Sequence, residues 1–240
     1  MSDLVLSGAN IDLFSASSGL EFREVNDLLS DSSLMLFGSS DHAAFAADKP
    51  LIHPRDTVWS YSSGTSNLIS LYLRQSFKND GGDRAYWNYP QKVLSPLGID
   101  FVLDTDASGT FVGSSYSYAT PRDWARFGLF ALQRGMWQGQ QILPSSWFDY
   151  ATTPARASGR GEYGAQWWLN VGASQNATDR RYPSLPTDMF FASGYLGQTA
   201  AIFPSQDLVV VRLGCSSPNT AWNEEPFLHN ILTKALGTKL

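Results

Sequence analysis

The sequence predicts an α/β fold of the α+β kind, in which a mainly helical region is followed by an antiparallel sheet with packing helices. Three patterns indicate this class. A capped amphipathic helix begins at Thr120, short apolar strands separated by turn residues follow Gly161, and an amphipathic helix spans 224–236 near the end of the chain. Strands joined by short turns pair antiparallel, and a helix with one apolar face must bury that face against another element.

The helix that follows Thr120 has both a start and a stop signal. Threonine caps free N–H groups, Pro121 suits the first helical position, and Asp123 complements the positive end of the helix dipole. Apolar or small residues recur at helical spacing on one face: Trp124, Phe127, Gly128, Ala131 and Leu132. Gly135 ends the pattern, so we expect a helix with one buried face.

The second half of the chain has the pattern of a sheet. The predicted strands are Tyr163–Asn170, Met189–Ser193, Thr199–Phe203 and Leu208–Leu213. Pro204–Asp207 is a short turn, so the last two strands should form a hairpin. The last strand begins with four consecutive apolar residues, which is typical of a strand covered on both faces.

These patterns suggest three stretches that together form one partial domain. Residues 1–10 are expected to be an N-terminal extension, 11–160 a mainly helical and loop region, and 161–240 the strands plus the C-terminal helix. Composition changes near 157–159, within a stretch rich in small, turn-forming and basic residues.

Composition excludes several classes of function. The net charge is −5 without a basic stripe, which disfavours nucleic-acid binding. Cys215 is the single cysteine, and the three histidines lie far apart without metal-ligand spacing, so we expect neither a metal nor an organic cofactor. No run of ~18 apolar residues predicts a membrane span. The first ten residues do not have the pattern of a signal peptide, and localisation stays open between the cytoplasm and an exported form.

Four short segments carry the candidate chemistry. In chain order they are Ser17–Phe22 (SSGLEF), Tyr61–Asn67 (YSSGTSN), Tyr118–Gly128 (YATPRDWARFG) and Gly194–Gln198 (GYLGQ). Taken alone, the second segment also fits a capped helix with a packing tyrosine. In this order and spacing, the four segments resemble the β-lactamase-related serine hydrolases, which include class C β-lactamases, β-lactamase-like esterases, D-aminopeptidases and 6-aminohexanoate-dimer hydrolases. The last branch is the most similar, over about 11–236.

This resemblance implies a β-lactamase/transpeptidase-like fold and a set of roles. Family members form an acyl-enzyme on the serine of a Ser-x-x-Lys motif, a tyrosine moves the proton, and a strand supplies an oxyanion N–H. Tyr61 matches the tyrosine as general base and acid, and Gln198 supplies the oxyanion N–H through its backbone. Ser63, Tyr195, Gly197 and Glu24 are the expected substrate contacts. Tyr195-Leu196-Gly197 replaces Lys-Thr-Gly, which favours a small ester or amide over a β-lactam carboxylate. The phenol of Tyr61 and the Gln198 amide are expected to face one pocket.

The sequence departs from the family in one important respect. The residues three positions before the five lysines are Ala46, Gln75, Tyr89, Ile231 and Leu236, so the printed sequence contains no Ser-x-x-Lys. We therefore expect the N-terminal part of the fold to be missing and the chain to be impaired, with an apolar sheet edge exposed to self-association. The alternative is a non-catalytic pseudoenzyme, or a fragment that acts as a ligand-binding or interaction module.

Overall fold

The computed structural model describes residues 13–25, 27–173, 177–216, 222–235 and 237. The chain divides into two compact units. The first contains the residues up to Pro96 together with Asp100–Ala119, and the second contains Leu97–Ile99 and the residues from Thr120 onward. The extension expected at 1–10 lies outside the described residues, and the boundary expected near residue 160 stays a prediction from composition.

The first unit is mainly helical. Its main elements are α1 (Asp31–Gly38), α2 (His42–Ala47), α3 (Ser63–Ser76), α4 (Gly82–Leu94) and the antiparallel pair β1 (Val102–Leu103) and β2 (Ser117–Tyr118). The first three helices begin at residues that satisfy free backbone N–H groups. The side chains of Ser30, Asp41 and Ser62 each accept a hydrogen bond from the N–H three residues ahead.

Two apolar groups hold the helices of this unit together. Around α1–α3, one cluster contains Leu13, Met35, Ala43, Ala46 and Leu68. The other group centres on Tyr86, which is fully buried beside Phe77 and Phe111. The Tyr86 hydroxyl accepts the Phe111 N–H at 2.8 Å, so this buried phenol has a hydrogen-bond partner.

The second unit contains the sheet. Its main elements are α5 (Pro121–Leu132), the hairpin β3 (Met136–Trp137) and β4 (Gln140–Gln141), α6 (Ser145–Ala151), β5 (Trp168–Leu169), β6 (Phe190–Gly194), β7 (Gln198–Phe203), β8 (Leu208–Arg212) and α7 (Glu224–Asn230). Strands β5 to β8 form one antiparallel sheet in sequence order. The mixed α/β class predicted from the sequence is therefore confirmed.

Helix α5 begins as its sequence predicts. The Thr120 hydroxyl oxygen accepts the Asp123 N–H at 3.2 Å and donates to the Asp123 carboxylate at 2.6 Å. This hydrogen bond, followed by an ion pair with Arg126, holds the pKa of the Asp123 carboxyl below its ordinary value. Gly128 lets the helix lie close to the sheet, since a Cβ there would stand 2.6 Å from Cγ1 of Val209.

The sheet is covered on both faces. Phe190, Ile202 and Val209 stand opposite one another across β6, β7 and β8 and form one row. The adjacent row, Phe191, Ala201 and Val210, points to the other face because side chains alternate along a strand. Helix α5 approaches the first row at Val209, while Leu228 and Leu232 cluster with the second. The prediction that the last strand is covered on two sides is confirmed.

Two predicted boundaries are corrected. The strand expected over Tyr163–Asn170 is reduced to Trp168–Leu169, because Gln166 adopts a left-handed backbone with φ of 63° that interrupts an extended ladder. The closing helix is α-helical only to Asn230 and continues as a π-helical turn over Ile231–Ala235; Leu236 lies outside the described residues.

The predicted turn between β7 and β8 is a short 3₁₀ turn at Pro204–Gln206, so the hairpin is confirmed. Across the parts of the chain that the structure describes, no helix combines the length and the apolar character needed to cross a membrane.

Candidate active site

Tyr61 directly precedes the capping residue of α3. Ser62 accepts the Thr65 N–H at 3.1 Å, and the helix begins at Ser63. The Tyr61 side chain is 37% exposed, whereas the three residues that follow it are buried. The sequence pattern of a phenol at the start of a helix is confirmed, and the helix holds the backbone next to that phenol.

Glu24 and Ser63, both predicted as substrate contacts, bind each other. One carboxylate oxygen of Glu24 accepts the Ser63 N–H and the other accepts the Ser63 hydroxyl, each at 2.8 Å. A carboxylate at the first turn of a helix is favoured by the helix dipole. Because the Ser63 hydroxyl donates to Glu24, its oxygen has lone pairs left with which to accept a hydrogen bond.

The first predicted segment packs on the first turn of the same helix. A Cβ on Gly64 would stand 2.5 Å from the ring of Phe22, so only a glycine fits beneath this ring. Ser18 lies 3.3 Å from Thr65, hydroxyl to hydroxyl. The structure thus brings together the Ser17–Phe22 and Tyr61–Asn67 segments, which are about forty residues apart in the sequence.

Asn67 connects α3 to a loop that the sequence motifs did not include. Its amide N–H groups donate to the Ser63 carbonyl at 2.9 Å and the Ser114 hydroxyl at 3.0 Å, and its oxygen accepts the Gly113 N–H at 3.1 Å. A Cβ on Gly113 would stand 2.4 Å from Oγ of Ser70. Through these hydrogen bonds and this close packing, the loop at Gly113 and Ser114 is fixed against α3, the helix that carries the tyrosine motif.

The fourth predicted segment is the turn between β6 and β7. Leu196 and Gly197 both have left-handed backbones, with φ of 59° and 83°. Such a conformation costs a non-glycine residue on the order of 1 kcal/mol and persists where the surroundings hold it. The Ser216 N–H donates to the Leu196 carbonyl at 2.9 Å, and this hydrogen bond is one of the contacts that hold the turn in place.

Arg212, at the end of β8, binds the next carbonyl of this turn. Its guanidinium donates to the Gly197 carbonyl at 2.5 Å and to the Ser216 hydroxyl at 2.6 Å. The guanidinium carbon lies 3.8 Å from the centre of the Trp222 ring, a cation–π contact. None of these contacts was predicted from the sequence. The visible signal was an arginine that ends an apolar strand, because a charge in such a place needs a partner.

The side chain of Gln198 is engaged with Gly214. Its amide nitrogen donates to the Gly214 carbonyl, and its oxygen accepts the Gly214 N–H at 2.9 Å. The role predicted for Gln198 uses its backbone N–H and not this side chain. The neighbouring Tyr195 is 71% exposed, so its ring is available to a ligand.

The predicted site residues fall into two groups. Tyr61, Ser63 and Glu24 belong to the first compact unit, whereas Tyr195, Gly197 and Gln198 belong to the second. Each group is ordered within its own unit by the contacts above. That the phenol and the Gln198 amide face one pocket stays a prediction. Within the described ranges, no cluster of three or more histidine, cysteine or acidic side chains is arranged to hold a metal ion.

Comparison with known proteins identifies the fold. The family model for Beta-lactamase matches residues 11–225. Three solved structures are similar. A protein assigned as a 6-aminohexanoate-dimer hydrolase from Bacillus anthracis has a TM-score of 0.68 at 23% identity, and one assigned as a β-lactamase from Bacteroides dorei has 0.63 at 14%. A β-lactamase from Mycobacterium bovis has 0.61 at 17%. The fold is therefore β-lactamase/transpeptidase-like. The chain belongs to the β-lactamase family of serine hydrolases, as its motifs predicted.

The chain covers only part of each of these relatives. The three structures match 91%, 99% and 94% of this chain, but 57%, 76% and 73% of their own chains. An uncharacterized protein from Alkalihalophilus pseudofirmus is 31% identical over 99 residues, which are 40% of this chain and 29% of the relative. The chain therefore spans little more than half of the Bacillus anthracis protein and less than a third of the Alkalihalophilus pseudofirmus protein.

Proposed function

We propose that this chain carries two catalytic groups of a serine hydrolase that cleaves small esters or amides through an acyl-enzyme. Tyr61 is the general base and acid, and the backbone N–H of Gln198 donates to the oxyanion. The supporting observation is the family match over 11–225, which includes both residues. In such a reaction the serine attacks the substrate carbonyl, the tyrosine transfers the proton to the leaving group, and N–H donors stabilise the tetrahedral oxyanion.

We further propose that the chain is impaired as a catalyst on its own. No lysine of the sequence is preceded by serine at the third position, so the nucleophile of the family motif is not part of it. Without this serine, Tyr61 has no nucleophile of the family motif from which to take a proton. Ligand binding without appreciable turnover is the expected behaviour.

The contacts within each unit support the proposed ligand contacts. Glu24 fixes the hydroxyl hydrogen of Ser63, which leaves the Ser63 oxygen to accept an N–H or O–H from a substrate. Tyr195 has an exposed ring in the turn between β6 and β7, where it can cover the apolar part of a small ester or amide.

Turnover and binding by the whole chain test both proposals. Hydrolysis of p-nitrophenyl acetate and of a chromogenic cephalosporin is followed by absorbance, and phenylphosphonate, a stable mimic of the tetrahedral oxyanion, is titrated by calorimetry. We expect phosphonate binding with hydrolysis at the uncatalysed rate. Tyr61→Phe should weaken binding about tenfold, the loss of one hydrogen bond to a charged group. The matched control is Tyr89→Phe, which changes a tyrosine of the same unit with the same 37% exposure, outside the four segments, and should leave binding unchanged.

Each outcome of these assays has a definite meaning. Turnover that Tyr61→Phe abolishes and Tyr89→Phe preserves would overturn the proposed impairment while establishing the role of Tyr61. Absence of both turnover and phosphonate binding would favour the alternative, an interaction module without a catalytic site.

The alternative has its own support in the sheet. Among the described residues, β8 pairs with β7 on one side only, and its first four residues are apolar. Such an edge is a template for pairing with another strand. We propose a second copy of the chain as the partner, so the apparent mass in sedimentation should rise with concentration. A monomer at every concentration would contradict this proposal.

A further inference from the structure

The guanidinium of Arg212 occupies a cradle built around the turn between β6 and β7. It bonds the Gly197 carbonyl and the Ser216 hydroxyl and lies against the Trp222 ring. A Cβ on Gly197 would approach Nη1 of Arg212 to 2.8 Å, and a Cβ on Gly214 would approach Nη2 to 3.0 Å. Both positions are glycine, which gives the guanidinium room to reach the turn.

The carbonyl that Arg212 binds belongs to the same peptide group as the Gln198 N–H. In a trans peptide, the C=O and N–H point in opposite directions within one plane. A group that fixes the Gly197 carbonyl therefore also fixes the direction of the Gln198 N–H. A charged donor on the carbonyl further polarises the peptide and makes its N–H a stronger donor.

We propose that Arg212 is a positioning residue, which orients and polarises the Gly197–Gln198 peptide as an oxyanion donor. This inference rests on the proposed function of the Gln198 N–H. Arg212 itself needs no contact with the substrate, because it acts through the peptide.

The turn needs this support because its backbone is strained. Leu196 and Gly197 both have positive φ, and a glycine adopts other φ and ψ values at little cost. Ser216 holds the Leu196 carbonyl and Gly214 holds the Gln198 side chain, so the Gly197 carbonyl is the part of the turn left to Arg212.

Nuclear magnetic resonance of the whole ¹⁵N-labelled chain tests the orientation and polarisation directly. The amide proton of Gln198 should move upfield in Arg212→Gln, which removes the charge, and should move less in Arg212→Lys, which retains it. The matched control is Arg134→Gln, because Arg134 makes an exposed ion pair with Asp149 in the same unit. An unchanged Gln198 resonance in a folded Arg212→Gln would overturn the proposal.

Titration with phenylphosphonate separates the positioning role from a purely structural one. Arg212→Gln should bind phosphonate about tenfold more weakly, a fraction of the loss seen when an oxyanion donor is removed. Arg212→Lys should fall between the wild type and Arg212→Gln, and it decides the question if Arg212→Gln does not fold. Equal affinity in all three would overturn the proposal. A wild-type chain without phosphonate affinity would refute the proposed oxyanion role, while the Gln198 resonance would still show whether Arg212 controls the peptide.

Discussion

Replacing Gly197 with alanine should destabilise the second unit by about 3 kcal/mol. At a φ of 83°, an alanine costs on the order of 1 kcal/mol in backbone strain. The new methyl would also lie 2.8 Å from Nη1 of Arg212, so the guanidinium must shift, and we expect it to lose its hydrogen bond to the Gly197 carbonyl. A hydrogen bond to a charged group contributes about 1.5–3 kcal/mol, and this larger loss dominates the total.

A second glycine provides a control for the backbone strain. Gly139 has a φ of 81°, almost the same as Gly197, but nothing lies within 4 Å of a Cβ placed there. Gly139→Ala should therefore cost about 1 kcal/mol from strain alone. Urea unfolding followed by tryptophan fluorescence measures both free energies.

The difference between the two variants isolates the contact with Arg212. Equal destabilisation by Gly197→Ala and Gly139→Ala, within about 0.5 kcal/mol, would refute the reasoning. The methyl at position 197 would then have disrupted no stabilising contact of Arg212. In an Arg212→Gln background, the two alanine substitutions should become equal, since the guanidinium that one of them displaces is already gone.

Two further substitutions test the packing within each unit. An alanine in place of a helical glycine normally stabilises a protein by up to ~1 kcal/mol. Gly128→Ala should instead destabilise this one by about 1–3 kcal/mol, because its methyl meets Val209 at 2.6 Å. The control Gly38→Ala, which has open space around it, should stabilise, and unfolding curves in which both variants are stabilised would contradict the close approach of Gly128 to Val209. Burial raises the pKa of Tyr86 to about 12 from ~10, so the folded state holds this proton more tightly and loses stability as pH rises from about 10 to 12. That loss, on the order of 2 kcal/mol, should disappear from unfolding curves of Tyr86→Phe, and a pH dependence identical in the two proteins would count against it.

The candidate site was predictable where its signals are local. Ser62 caps the helix that follows Tyr61 because a serine hydroxyl reaches the N–H three residues ahead, and this pattern is visible in the letters. The pairing of Glu24 with Ser63 was not predictable, since 39 positions separate them and only the packing of the chain brings them together. Both residues were named as substrate contacts, but their bond to each other was missed.

The turn between β6 and β7 shows the same division between local signals and long-range contacts. Tyr195, Gly197 and Gln198 stand out in the sequence, whereas the contacts of Arg212 depend on the antiparallel register of β7 and β8, which places its side chain beside the turn. Register is set by cross-strand pairing and not by local preference, so the sequence pattern contains no direct record of it.

For the fold, local patterns in the sequence were enough to predict the elements whose signals lie within a few residues. These include the capped helix at 121–132, the hairpin of β7 and β8, and the α/β class, because capping, turn chemistry and hydrophobic periodicity act over short distances. Where these elements stop and what covers them became clear only from the folded chain. Gln166 interrupts a strand that its neighbours favour. Gly128 brings α5 against Val209, a contact between residues far apart in the chain.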